Sequence, residues 1–96
     1  MSAIRILLAD DHTLVREGLR KILETQRGWE VIAEASDGRE AVRQALELKP
    51  DLVILDLAMP QLGGVDAIQQ IVKRLPSARV LVLSMHADET YVTRPP

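Results

Sequence analysis

Four apolar residues in a row, Leu52-Val53-Ile54-Leu55, closed at once by Asp56, restrict this chain more than any other stretch. Side chains alternate sides along a strand, so an uninterrupted apolar run, two of its members β-branched, must be covered on both faces. Beyond it, residues 57–64 contain Pro60, Gly63 and Gly64 and read as a turn into a helix. An ionised carboxylate ending such a strand costs free energy unless something offsets it. A lone Asp there reads best as a cap on the loop behind it. Asp56 has company.

Taken in order, the chain alternates strand and helix. Ile4–Ala9 reads as a first strand ended by Asp10-Asp11. Leu14, Val15, Gly18, Leu19, Ile22 and Leu23 then recur at helical spacing and are expected to face the core, with Asp11 or Thr13 as the cap and Gly28 soon after the end. Val31–Ala35 is a second, weaker strand. Asp37-Gly38-Arg39-Glu40 resembles a capping box and opens a helix that turns Ala41, Val42, Ala45 and Leu46 inward until Lys49-Pro50 stops it. After the Leu52–Asp56 strand comes a third helix carrying Val65, Ile68, Ile71, Val72 and Leu75, closed by Pro76. Val80–Leu83 reads as a fourth buried strand, and Asp88–Arg94 as the start of a further helix. Such alternation with short connections favours an α/β fold, a parallel sheet with helices on both faces.

Composition narrows the functional classes. Ninety-six residues allow one domain, and with no Phe, one Trp and one Tyr the core must be aliphatic. Twelve basic residues against fourteen acidic ones give a net charge of −2 without a basic cluster, which argues against nucleic-acid binding by this segment. There is no cysteine, hence no disulfide or thiolate metal site. No apolar run approaches the roughly 18 residues of a membrane span. A cytoplasmic protein is expected.

In parallel α/β sheets the binding crevice lies at the carboxyl ends of the strands. Asp10 and Asp11 end the first strand, Asp56 the third and Ser84 the fourth. If strands one, three and four are neighbours, all four side chains meet at one rim. Three carboxylates held together repel one another unless a cation sits among them, and an all-oxygen set suits a hard divalent ion, Mg²⁺ first. An Asp beside such an ion can act as a nucleophile toward phosphorus, and the Ser84 hydroxyl can donate to a phosphoryl oxygen. His12 and His86 read as solvated loop or helix-start residues rather than ligands.

The ordered set Leu8-Ala9-Asp10-Asp11-His12, Ile54-Leu55-Asp56-Leu57-Ala58-Met59-Pro60, Gly63-Gly64 and Leu83-Ser84-Met85-His86 resembles the receiver domain of two-component response regulators, LuxR/NarL-type subfamily. The resemblance implies a flavodoxin-like three-layer sandwich with strand order 2-1-3-4, continuing in the family to a fifth strand. It implies Asp56 as phosphoacceptor, Asp10 and Asp11 as the acid pair serving Mg²⁺, the Ala58 carbonyl as a further metal ligand and Ser84 as the switch hydroxyl. A sensor histidine kinase is the implied phosphoryl donor, and transcription through a separate DNA-binding domain the implied output.

One departure stands out. The family's fifth strand and helix, with the phosphate-contacting Lys, have no counterpart here, since Lys21, Lys49 and Lys73 all fall in or at the ends of helices one to three. Residues 1–96 are therefore expected to form a single incomplete receiver domain, with weakened phosphotransfer. Val80–Leu83 would then be an edge strand, favouring a homodimer or higher oligomer through it or through the helix-four region. The rival reading is a phosphorylation-incompetent receiver serving only as an interaction module. A haloacid-dehalogenase-type phosphatase fits poorly, because the frame Ala9-Asp10-Asp11-His12-Thr13 lacks that family's first Asp.

Overall fold

The computed structural model describes residues 3–56 and 64–83. Seven elements follow one another: β1 (Ile4–Ala9), α1 (Thr13–Glu24), β2 (Trp29–Ala35), α2 (Gly38–Leu48), β3 (Leu52–Asp56), α3 (Gly64–Arg74) and β4 (Arg79–Leu83). The strands form one parallel sheet in the order β2-β1-β3-β4. This is the α/β architecture and the strand order the sequence led us to expect.

Alternation along the strands separates two cores. Leu7 and Ala9 of β1 and Val53 and Leu55 of β3 point to the face covered by α2 and α3, where Ala41, Val42, Ala45, Ala67 and Ile71 meet them. Ile6, Leu8 and Ile54 point to the other face, where Leu19 and Leu23 of α1 pack. Both central strands are thus covered on both sides, as their unbroken apolar runs require. Each large side chain buried in this way contributes about 1.5–3 kcal/mol relative to exposure.

Local chemistry sets the element ends. The Asp37 carboxylate accepts from Glu40 N at 2.7 Å, capping α2. The Glu40 side chain reaches back to Ser36 N, at 3.0 Å, one residue earlier than the reciprocal bond of an ordinary capping box. At the far end Lys49 takes the left-handed conformation, φ 52°, and its N–H bonds Ala45 O. The Arg5 guanidinium then donates to the carbonyls of Leu48 and Lys49, at 2.9 and 3.0 Å, satisfying helix-end acceptors with a cation where the helix dipole favours one. Gly28, at φ 85°, makes the turn into β2.

Four expectations need correction. The N-cap of α1 is His12, with no side-chain cap bond, rather than Asp11 or Thr13. The α1 stripe is two rows wide, and only one meets the sheet. Leu19 and Leu23 pack on it, while Leu14 (81% exposed), Gly18 and Ile22 (64%) face outward. On α3 the inward row is Ala67 and Ile71, flanked by Ile68 and Leu75, while Val65 and Val72 are exposed. Counting only large apolar residues left out Ala67, which is fully buried in the core beneath α3. Lastly, β4 is not a buried strand. Leu81 and Val82 are 49% and 39% exposed, because among the described residues β4 is a sheet edge, the position also expected for Val80–Leu83.

Candidate metal and phosphoryl site

Register brings the acids together. Ala9 of β1 pairs with Leu55 of β3, so the next residues, Asp10 just past β1 and Asp56 at the end of β3, stand side by side at the rim of the sheet. Both carboxylates are buried, each residue 2% exposed, and the Asp11 side chain is 29% exposed beside them. One oxygen from each of Asp10, Asp11 and Asp56, together with a ring nitrogen of His12, lie within 4.8 Å of one another. The three acids named from the sequence therefore converge on one rim of the sheet. Ser84 and the Ala58 carbonyl lie outside the described residues.

The loop after β1 is organised by its own first acid. Asp10 Oδ1 accepts from His12 N at 2.8 Å, a side-chain turn that carries the chain into α1. The His12 ring folds back over the same group. Its Nδ1 stands 3.2 Å from Asp10 Oδ1, 3.0 Å from Asp11 Oδ1 and 3.9 Å from Asp56 Oδ2. The hydrogen bond to Asp10 raises the His12 pKa above its ordinary value and the Asp11 charge adds to this; desolvation opposes them, and the Asp10 and Asp56 charges add smaller upward effects. His12 is indeed a half-exposed helix-start residue, as expected, but its ring belongs to the acid cluster, which the sequence reading missed. The Asp-Asp-His adjacency was the available signal.

Charge makes this arrangement unfavourable without a cation. Two carboxylates 4.8 Å apart repel by about 3.5 kcal/mol at an effective dielectric near 20. The His12 ring, when protonated, offsets one of the three charges. Asp11 Oδ1 is buried and, apart from the His12 ring nitrogen 3.0 Å away, makes no hydrogen bond among the described residues, so a metal ion would satisfy it. Oxygens around an octahedral Mg²⁺ stand roughly 3–4 Å apart, a spacing close to that of this set. The donor set fits a hard divalent cation, with the phosphoryl-transfer chemistry that such a site supports.

The family model described as the response regulator receiver domain matches residues 6–95. The chain is 47% identical to the transcriptional regulatory protein LiaR of Bacillus subtilis over 89 residues, covering 93% of this chain and 42% of that one. Among solved structures, a LuxR-family two-component response regulator from Aurantimonas sp. superposes with a TM-score of 0.85 at 42% identity, covering 94% of this chain and 64% of the other. The CheX-CheY-BeF3-Mg complex of Borrelia burgdorferi superposes with a TM-score of 0.85 at 29% identity, over 95% of this chain and 69% of that one. The chain thus spans less than half the length of the curated relative it matches here.

Proposed function

The chain belongs to the response regulator receiver domain family, with LuxR/NarL-type relatives, and on that premise we propose that Asp56 is its phosphoacceptor. The observation that carries this reading is the convergence of Asp10, Asp11 and Asp56 within 4.8 Å at the carboxyl rim of a parallel sheet. An Asp56 carboxylate oxygen attacks the phosphorus of a phosphohistidine on a sensor kinase. The P–N bond breaks with its electron pair passing to the imidazole nitrogen, a P–O bond forms, and the product is an aspartyl phosphate. Asp10 and Asp11, with Asp56, would hold Mg²⁺, which when bound supplies positive charge against the phosphoryl oxygens. Asp10 is kept in place by its bond to His12 N and by the strand that precedes it. The Ala58 carbonyl would complete the metal site and the Ser84 hydroxyl would donate to a phosphoryl oxygen.

The cytoplasm is the proposed compartment, where the kinase's phosphohistidine is presented; no described helix is long and apolar enough to cross a membrane. Control of transcription through a DNA-binding domain is the proposed output. Self-association through β4 is proposed from its exposed Leu81 and Val82 and the unpaired strand side they flank among the described residues. A receiver that serves only as an interaction module is the less favoured reading, since such a role gives no reason for a buried acid cluster.

The test is phosphorylation by acetyl phosphate or a phosphorylated kinase, with Mg²⁺ and with EDTA, followed by intact-mass measurement. The wild type should gain one phosphoryl group only with the metal, and D56N none. A D56N protein labelled as fully as the wild type refutes the assignment.

A further inference from the structure

Arg16 sits one turn into α1, its N–H bonded to His12 O, and its side chain turns back over the acid loop. Its NH1 donates to the carbonyl of Asp10 at 2.5 Å, and its Nε to Glu34 Oε1 at 2.8 Å. Glu34 lies on β2, and its second oxygen accepts from Arg20 NH1 at 3.0 Å. Asp10 N meanwhile donates to Ala35 O, the next residue along β2, at 3.0 Å. The Asp10 residue is therefore fixed at both backbone groups. Its N–H is held by β2 directly, and its C=O by β2 through Arg16.

We infer that Arg16 is a positioning residue for the cation site: it pins the Asp10 carbonyl to β2 and so aims the Asp10 carboxylate at Asp11 and Asp56. The inference rests on the metal reading given above. Electrostatics alone would disfavour an arginine here, because a positive charge close to a divalent-cation site repels the ion. The structure removes that objection by balancing the charge locally: Glu34 bridges Arg16 and Arg20, and Glu24, 3.6 Å from Arg20 Nε, supplies the second carboxylate for the two guanidinium groups. What is left to the guanidinium is geometry. Its planar fork donates in two directions at once, to a carbonyl and to a carboxylate, which a lysine ammonium on a flexible stem does not reproduce as a rigid bridge. The Arg16 side chain is also 16% exposed against 50% for Arg20, so its position is held by surrounding structure while that of Arg20 is held much less.

The sign of the effect separates geometry from charge. Loss of a repelling charge alone would tighten Mg²⁺ binding, whereas loss of a support for Asp10 would weaken it. Mg²⁺ affinity is measured by isothermal titration calorimetry on wild type, R16M, R16K and R20M, with circular dichroism confirming that each is folded at the working temperature. Supports of metal ligands change affinity by about 10–100-fold, so R16M should bind Mg²⁺ at least about tenfold more weakly. R16K keeps the charge but not the fork, and should lose about threefold or more. R20M breaks the other side of Glu34 without touching Asp10. It should lower the melting temperature yet leave Mg²⁺ affinity within about twofold of the wild type.

Equal or tighter Mg²⁺ binding by R16M overturns the inference while leaving the metal site standing. If R16M does not fold, R16K decides alone, and wild-type affinity in R16K overturns it. Equal weakening by R20M and R16M also overturns it, because the effect would then be one of general stability. A wild type that binds no Mg²⁺ overturns the site reading itself, and the inference with it.

Discussion

The acid cluster makes a quantitative prediction about a protein from which metal has been removed. Substitution of Asp56 by Asn keeps the side-chain shape and removes one charge from a group whose ligand atoms lie within 4.8 Å of each other. That change deletes two repulsions, with Asp10 and with Asp11, each about 3.5 kcal/mol at an effective dielectric near 20. It also deletes one attraction, to His12 Nδ1 at 3.9 Å, which solvent screens because that ring is half exposed. Lost hydrogen bonding to the carboxylate subtracts about 1.5–3 kcal/mol, and the relief of burying a charge in a residue only 2% exposed adds to the gain. The net expectation is that D56N is more stable than the wild type in EDTA by about 1–3 kcal/mol, a rise in Tm on the order of 10 °C for a domain of this size. Urea unfolding followed by fluorescence of Trp29, the single tryptophan, measures it. Saturating Mg²⁺ should remove the difference, since a ligand at a hundred times its Kd stabilises the wild type by about 2.7 kcal/mol. A D56N protein less stable than the wild type in EDTA, or a wild type whose stability ignores Mg²⁺, would refute the claim that these charges are in conflict.

Other outcomes follow from the same geometry. Because the folded-state pKa of His12 is raised, its stabilising contribution in metal-free protein should be complete below its unfolded pKa near 6.5 and fade as pH rises through the higher folded value. Urea midpoints of wild type and H12A should therefore differ more at pH 5.5 than at pH 8.5, and a gap that widens with pH contradicts the assignment. Truncation of Ile71, fully buried between α3 and the sheet, to Ala should cost about 2–5 kcal/mol, while Val72→Ala, at a position 49% exposed, should stay within about 0.5 kcal/mol by the same assay. Asp37→Ala removes the acceptor of Glu40 N and should cost about 1 kcal/mol, with Asp37→Ser recovering most of it.

The sequence alone was sufficient for every element of the described fold and for the three carboxylates. Strand runs and helix stripes are local patterns, legible because each side chain's environment follows from the period of its own element. Asp10, Asp11 and Asp56 could be singled out for a similar reason, since a charge that ends an apolar strand is anomalous wherever the strand goes. The capping of α2 was legible as well, as it involves four consecutive residues.

Only the tertiary structure decided the rest. Whether Leu14 and Ile22 or Leu19 and Leu23 would be covered depends on how α1 lies over the sheet, and both rows have the same local pattern. On α3, Ala67 rather than Val65 or Val72 turned inward, because close packing of helix against sheet rewards a small side chain that periodicity does not count. His12 entered the acid cluster through a turn made by Asp10. Arg16 reached Glu34, 18 positions along the chain, because β2 lies beside β1. Charges and hydrogen-bond donors act over a few ångströms in space, so partners distant in sequence are settled by strand order and register, which no single segment specifies.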